Sequence, residues 1–285
     1  ADYIPVVIVL REQADLRPFT RSQVVGLHQR EDVVAALRAR SETSQIPLKA
    51  YLDGAKGAGL VESYSSFWIF NGMAARAQAA WVRSLAAHPA VGVVYLDQAR
   101  NWLTGSDATF VADHPCLASE DVDDSSVTPA WGVTRIRADQ VWDSLGISGA
   151  GAVVAGMDSG VDWNHPALQT NYRGYAGHGL VTHHANWFDA VNGSLYPTDD
   201  NGHGTHTLGT AVGQVGIGVA PDARWIAVKV LNSNGVGYDS WIHAGFQWLL
   251  APGGDPANAP DVVNCSWGSD IGALTVFQDD LIALR

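Results

Sequence analysis

Apolar residues follow strand-like spacing in some stretches of the chain and helical spacing in others, and the switches between the two mark out its elements. Residues 3–10 (YIPVVIVL) are rich in Val and Ile and predict a strand. Residues 30–41 (REDVVAALRARS) place apolar side chains three and four apart, which predicts a helix, and a second helical stretch covers Gln45–Lys56. Strand-like runs follow at Val61–Phe70 and Met73–Gln78, and the Asn71-Gly72 pair between them predicts a hairpin. Ala79–Ala87 is helix-like and stops near His88-Pro89, before a last strand at Val91–Leu96.

Taken in order, these elements read β-α-β-β-α-β, the ferredoxin-like arrangement, and predict a small α+β domain over residues 1–98. Residues 99–128 break the pattern. They are polar and irregular and carry the acidic run Glu120-Asp121-Val122-Asp123-Asp124 followed by Ser125-Ser126, which predicts an exposed linker. Regular spacing resumes after Pro129. A helix is predicted at Ala138–Leu145, then the Gly-rich stretch Gly146–Gly151 and a strand Ala152–Met157 that ends at Asp158. A helix should begin near His203, a strand should span Trp225–Leu231 (WIAVKVL), and a helix Trp241–Leu250. A strand Val262–Trp267 and a helix Leu274–Leu284 complete the series. Strands alternating with helices over residues 129–285 predict an α/β fold, a parallel sheet flanked by helices.

Composition narrows the picture. The 285 residues suffice for two modest domains, and 47% hydrophobic content is that of a globular chain. Seventeen Lys and Arg against 29 Asp and Glu leave a formal charge of −12, which excludes the basic face a nucleic-acid partner requires. No run of 18 apolar residues predicts a membrane-spanning helix, so no membrane partner is expected. The chain opens at Ala1 with no visible leader, an expectation of either a removed leader or a fragment. The two cysteines are expected to be unpaired, Cys116 in a loop and Cys265 at a buried strand position.

The candidate chemistry lies in two short segments. Asp158-Ser159-Gly160 directly follows an apolar strand, where a parallel sheet presents functional groups. Such a tripeptide alone is no more than a common surface turn. Asn201-Gly202-His203-Gly204-Thr205-His206 places His203 after it, in Asp-then-His order, at the start of a predicted helix. A carboxylate fixed by a sheet can hold an imidazole in one tautomer. His203 and His206 could instead ligate a metal, but no further ligand stands at supporting spacing. No role is assigned to His178, His183 or His184.

Together, the segments Val153–Leu168 (VVAGMDSGVDWNHPAL), Asn201–Thr210 (NGHGTHTLGT), Gly218–Leu231 (GVAPDARWIAVKVL) and Asp261–Ser269 (DVVNCSWGS) resemble the subtilases, the subtilisin-like serine peptidases. The resemblance implies that Asp158 orients His203 and that His203 is the general base of an Asp-His-Ser triad. It implies that Leu231 borders a substrate subsite, and that Gly235-Val236-Gly237 and Ser266-Trp267-Gly268 pair with an extended peptide or protein substrate. Residues 1–98 resemble the family's propeptide, an intramolecular inhibitor and folding aid, which would make the chain a secreted, extracellular zymogen with a processing region in the linker.

Two departures stand out. Only 82 residues follow His203, whereas the family's nucleophile lies about 150 residues beyond its histidine. No serine here has the nucleophile's neighbours, so the chain is expected to end before the catalytic Ser and to be inactive alone. The resemblance also implies a tight calcium site, but Ala167 replaces its aspartate, and its loop is cut to Val212-Gly213-Gln214-Val215-Gly216. No cofactor or metal is therefore expected in this part, although calcium elsewhere in the protein stays open. A non-catalytic protein reusing the same framework for binding or inhibition is the alternative reading. Limited proteolysis should cut first within residues 99–128, and first cuts inside 61–98 with the linker protected would overturn the boundary.

Overall fold

A computed structural model describes residues 2–20, 27–103, 128–270 and 275–285 of the chain. Most of the predicted linker, Cys116, and the first residue of the predicted Leu274–Leu284 helix lie outside the described residues. The chain gathers into two compact units, one made of Ala1–Arg100, Gly237–Ala259 and Ile271–Arg285, the other of Asn101–Val236 and Pro260–Asp270.

The first unit holds β1 (Tyr3–Leu10), α1 (Leu27–Ser44), α2 (Ile46–Gly57), β2 (Val61–Phe67), β3 (Gly72–Gln78), α3 (Val82–Ala86) and β4 (Val91–Leu96). Its strands form an antiparallel sheet in the order β2-β3-β1-β4. Alternation along β1 sends Val6, Ile8 and Leu10 into one core with Met73, Ala75 and Ala77 of β3. Leu48, Leu52 and Ala55 of α2, four and three apart, close over that face. Pro47 is accommodated in the first turn of α2, where no intrahelical donor is required.

Local details differ from the sequence pattern. The hairpin turns through Trp68–Asn71, and Gly72 already pairs with Val9 and Phe67. Asn71, at φ 43°, turns inward instead of capping a two-residue loop. Its side chain bonds Ser44 Oγ at 2.8 Å and Gln45 Nε2 at 3.0 Å. The predicted Ala79–Ala87 helix is a 3₁₀ turn, Ala79–Trp81, followed by α3.

The second unit holds α4 (Ala138–Leu145), β5 (Val153–Asp158), β6 (Trp187–Asp189), α5 (His203–Val212) and β7 (Arg224–Lys229). To the first unit belong α6 (Asp239–Leu250) and α7 (Gln278–Leu284), while β8 (Val262–Asn264) returns to the second. The second unit's sheet is parallel throughout, in the order β8-β5-β7-β6. Its core joins Trp187, Trp225 and Ala227 of the sheet to Leu208 and Val212 of α5, with Leu168 and Tyr172 from the intervening segment. The fold is the mixed α/β architecture expected, a parallel sheet flanked by helices.

Two strands stop short of their predicted ends. β7 ends at Lys229, two residues before Leu231, and β8 ends at Asn264. Beyond Asn264 the Met157 carbonyl of β5 accepts the Trp267 indole N–H at 2.6 Å, so a side chain occupies a position that would extend the ladder. Cys265 is consequently exposed and outside the strand, correcting the buried position expected for it. The last helix starts at Gln278 rather than Leu274.

Within the first unit, the N-terminal sheet and α6 meet through polar contacts. Gln247 Oε1 accepts Trp68 N–H at 2.6 Å and Ile69 N–H at 3.3 Å. Asp97 accepts from Ser240 N–H at 2.9 Å and Ser240 Oγ–H at 2.6 Å, capping α6, whose own N-cap residue Tyr238 supplies no side-chain bond. Arg100 pairs with the buried Asp239 carboxylate. Losing a helix cap costs about 1 kcal/mol. Asp97→Ala should therefore lower the urea midpoint of this unit by a corresponding amount, and an unchanged midpoint would mean that Asp97 caps nothing.

Candidate active site

Asp158 is the last residue of β5 and is 2% exposed. His203 is the first residue of α5, and its Nδ1 stands 2.8 Å from Asp158 Oδ1. Two residues 45 apart in sequence thus meet at the carboxyl end of the sheet, one on a strand end and one on a helix start. The approach is closest at Gly204, where a Cβ would fall 2.1 Å from the Gly160 carbonyl and 3.1 Å from the Asp158 side chain. Only glycine lets the helix start sit this near the strand end.

Burial drives the Asp158 carboxyl above the ordinary carboxylate range, opposed by the His203 hydrogen bond and then by its charge. Oδ1 also accepts Ser159 N–H at 2.7 Å, while Oδ2 has no partner among the described residues. A carboxylate bonded to Nδ1–H leaves Nε2 of the imidazole as the proton acceptor, the arrangement a general base needs.

A second carboxylate, passed over in the sequence, ties the two residues' surroundings together. Asp199 accepts Ser159 Oγ–H at 2.9 Å, the N–H groups of Gly202 and Thr205 at 2.9 Å each, and Thr205 Oγ–H at 2.6 Å. Ser159 Oγ in turn accepts Gly204 N–H at 2.9 Å. The turn before α5 is thereby stitched to the residue after Asp158. Two acidic residues directly before Asn201-Gly202-His203 were the available signal.

The residues named for substrate binding are placed as follows. Leu231 is fully buried, and its N–H lies 3.2 Å from the Asp158 carbonyl. A cavity of about 340 Å³ is lined by His203, Cys265, Ser266, Trp267 and Gly268, together with Trp102 and Leu103. Trp102 is held on both sides through its backbone. Its N–H donates to the Gly235 carbonyl at 3.0 Å, and its carbonyl accepts Gly268 N–H at 3.0 Å. Its ring meets Trp267 edge-on at 5.3 Å. Leu103 lies against Gly235. Val236 follows Gly235 and donates its N–H to Asn232 Oδ1 at 3.1 Å, whereas Gly237 falls in the other unit. Cys265 is exposed as a residue, but protein atoms crowd its thiol. That desolvation, with the Asp158 charge as the second cause, pushes it up to about 12, so it is no thiolate at neutral pH.

The segment where the family's tight calcium site was considered is bonded as follows. Ala167 is 3% exposed and its carbonyl accepts Gln214 N–H at 2.8 Å. Gln214 Nε2 donates to Asn171 Oδ1 at 3.0 Å. The local oxygens are thus engaged by protein donors, where Ca²⁺ needs six to eight of its own. Among the described residues no group of three or more His, Cys, Asp or Glu converges on one point, and no helix is long and apolar enough to cross a membrane. His183, left without a role in the sequence, bonds the Tyr172 hydroxyl at 3.0 Å and stacks on its ring.

The site is thus an Asp–His pair at the carboxyl edge of a parallel α/β sheet, near a cavity where the Trp102 backbone is bonded on both sides. Residues 149–281 match the Subtilase family, and this part of the chain belongs to it. The chain is 36% identical over 270 residues to Bacillopeptidase F of Bacillus subtilis (strain 168), an alignment covering 90% of this chain and 18% of that protein. It is 40% identical over 126 residues to Subtilisin-like protease 9 of Arthroderma otae, covering 42% of this chain and 28% of that protein. Against Subtilisin E of Bacillus subtilis (strain 168) the identity is 37% over 147 residues, 50% of this chain and 33% of the relative. The chain thus spans a third or less of these three relatives.

The raised Asp158 carboxyl yields a pH prediction. A group whose folded pKa lies above its unfolded value contributes stability that is full below the unfolded value, near 4, and is lost as pH rises through the folded one. Asp158→Asn keeps an oxygen for Ser159 and His203 but carries no charge. It should raise the urea midpoint at pH 7 and lose that advantage below pH 4. A variant less stable than the parent at pH 7 would contradict this.

Proposed function

We propose that this chain is the amino-terminal portion of a secreted serine endopeptidase precursor. Residues 1–98 form the propeptide, 99–128 a linker with the processing region, and 129–285 the first part of the catalytic domain. The observation that carries the reading is the 2.8 Å contact between Asp158 and His203 at the sheet's carboxyl edge, on a groove that already holds a backbone.

In this reading Asp158 fixes the imidazole, and His203 Nε2 takes the proton of a serine hydroxyl as that oxygen attacks the scissile carbonyl. The serine and the oxyanion donors belong to a part of the protein outside this sequence, in keeping with the small share of its relatives that the chain spans. Peptide and protein substrates bind by strand addition between Gly235-Val236-Gly237 and Ser266-Trp267-Gly268, as the two backbone bonds to Trp102 illustrate.

The segment around Trp102 and Leu103 occupies the groove as a product would, which supports residues 1–98 as the protein's own inhibitor. Their ferredoxin-like strand order and their packing against α6 support the same assignment. No calcium is proposed for this region, in keeping with Ala167 and the short 212–216 loop. An extracellular location accords with the likeness to subtilisins.

The test is the purified 285-residue chain assayed with a peptide substrate and a serine-directed phosphonate. No turnover and no label are expected alone, and both should appear when a complementary carboxyl-terminal fragment is added. A general base needs a hydroxyl within hydrogen-bond reach, and loss of one oxyanion donor alone costs about 10²–10³ in rate. Covalent labelling of a serine in the chain alone would overturn the assignment, and silence after a folded complement is added would favour a binding or inhibitory protein.

A further inference from the structure

We propose that Lys229 is a positioning residue that sets the Asp158–His203 pair through a single buried ammonium. The proposal rests on the reading of that pair as the working centre. Lys229 ends β7, and its side chain is fully buried. A buried ammonium is costly unless every N–H finds an acceptor, and here all three do. Nζ donates to the Ser159 carbonyl, to the Leu231 carbonyl at 2.9 Å and to Asp200 Oδ1 at 2.6 Å.

These acceptors stand on three separate segments. Ser159 follows Asp158, Asp200 precedes His203 by three residues, and Leu231 heads the stretch that runs to Gly235. The parallel register sets Lys229 beside Asp158. The N–H groups of Val230 and Leu231 both point to the Asp158 carbonyl, at 2.8 and 3.2 Å. The end of β5 is therefore gripped twice from β7, by main chain at residue 158 and by ammonium at 159.

The tie to Asp200 acts on the other partner. Asp199 and Asp200 are adjacent and bond in different directions, Asp200 to Lys229 and Asp199 to Ser159 and the start of α5. With Asp200 anchored, Asp199 is delivered to the turn that presents His203. Without the ammonium, three acceptors lose their donor and the strand end, the turn and the Leu231 segment are freed together. A methionine in its place would fill the space but tie none of them.

The measurement is the low-field proton resonance of His203 Nδ1–H in the 285-residue chain, which reports the bond to Asp158 directly and needs no serine. In Lys229→Met it should be lost to exchange or moved upfield. Asp200→Ala should do the same, and because the Asp200 side chain is half exposed this variant remains informative if the lysine variant fails to fold. Val228→Ala, a cavity in the same strand at a fully buried site, should leave the resonance in place. An unchanged resonance in folded Asp200→Ala or Lys229→Met overturns the proposal, as does an equal loss in Val228→Ala. Absence of the resonance from the unaltered chain would instead overturn the Asp158–His203 pair itself, and this proposal with it.

Discussion

A carboxylate at the buried end of a strand is the constraint on which this part of the molecule turns. Asp158 is held at 2% exposure, where ionisation is penalised and its pKa is raised. It can stay there only if donors are brought to it. Ser159 N–H comes from its own turn, but the imidazole must come from 45 residues away, and that requires the start of α5 to approach the end of β5. Gly204 permits the approach and Asp199 fastens it. The same demand explains why β5 lies inside the sheet, between β8 and β7, rather than at an edge. An edge strand could not be gripped by a neighbour on each side.

The first unit applies a different chemistry where its parts meet. Its sheet packs α2 through aliphatic residues, a core that cannot part without exposing apolar surface to water. Contact between that sheet's surroundings and α6 adds polar groups to the packing of Phe70 on the His243 ring: Gln247, Asp97 and Arg100, with His243 lying between Tyr95 and Asp280. Burial raises the Asp97 and Asp280 carboxyls, so each of those contacts carries a desolvation cost. Groups of this kind regain hydrogen bonds with water on separation, whereas Leu48 or Leu52 would not.

Much of the fold was legible because it follows from spacing. Alternation in residues 3–10 and the four-and-three spacing of Leu48, Leu52 and Ala55 correspond to β1 and the buried face of α2. Ends were less legible, because they are decided by partners distant in sequence. Nothing in VVNCSW reveals that the Trp267 indole takes the Met157 carbonyl and stops β8 at Asn264. Asn71-Gly72 reads as a two-residue turn until Ser44 and Gln45 are seen to draw Asn71 inward. In the site, Asp158 and His203 stood out because their neighbours are distinctive. Lys229 carried a weaker signal, a charge inside an apolar strand, which promises a partner without naming it.

The division of labour in the groove follows from the same separation of rigid and irregular backbone. Asp158 and His203 sit on a strand end and a helix start, whose positions are fixed by ladders and by the Leu208 and Trp225 core. The groove's edges at Gly235 and Ser266–Gly268 lie outside regular elements, with main-chain groups not used up by a ladder. Those groups are what Trp102 engages. Had β8 continued through Trp267 as the apolar pattern suggested, Gly268 N–H would have been drawn toward the sheet instead of the groove. The strand's early end, which looks like a local irregularity, is therefore what leaves a backbone edge for Trp102 to pair with. The residue that enforces it, Trp267, also forms the aromatic wall of the groove.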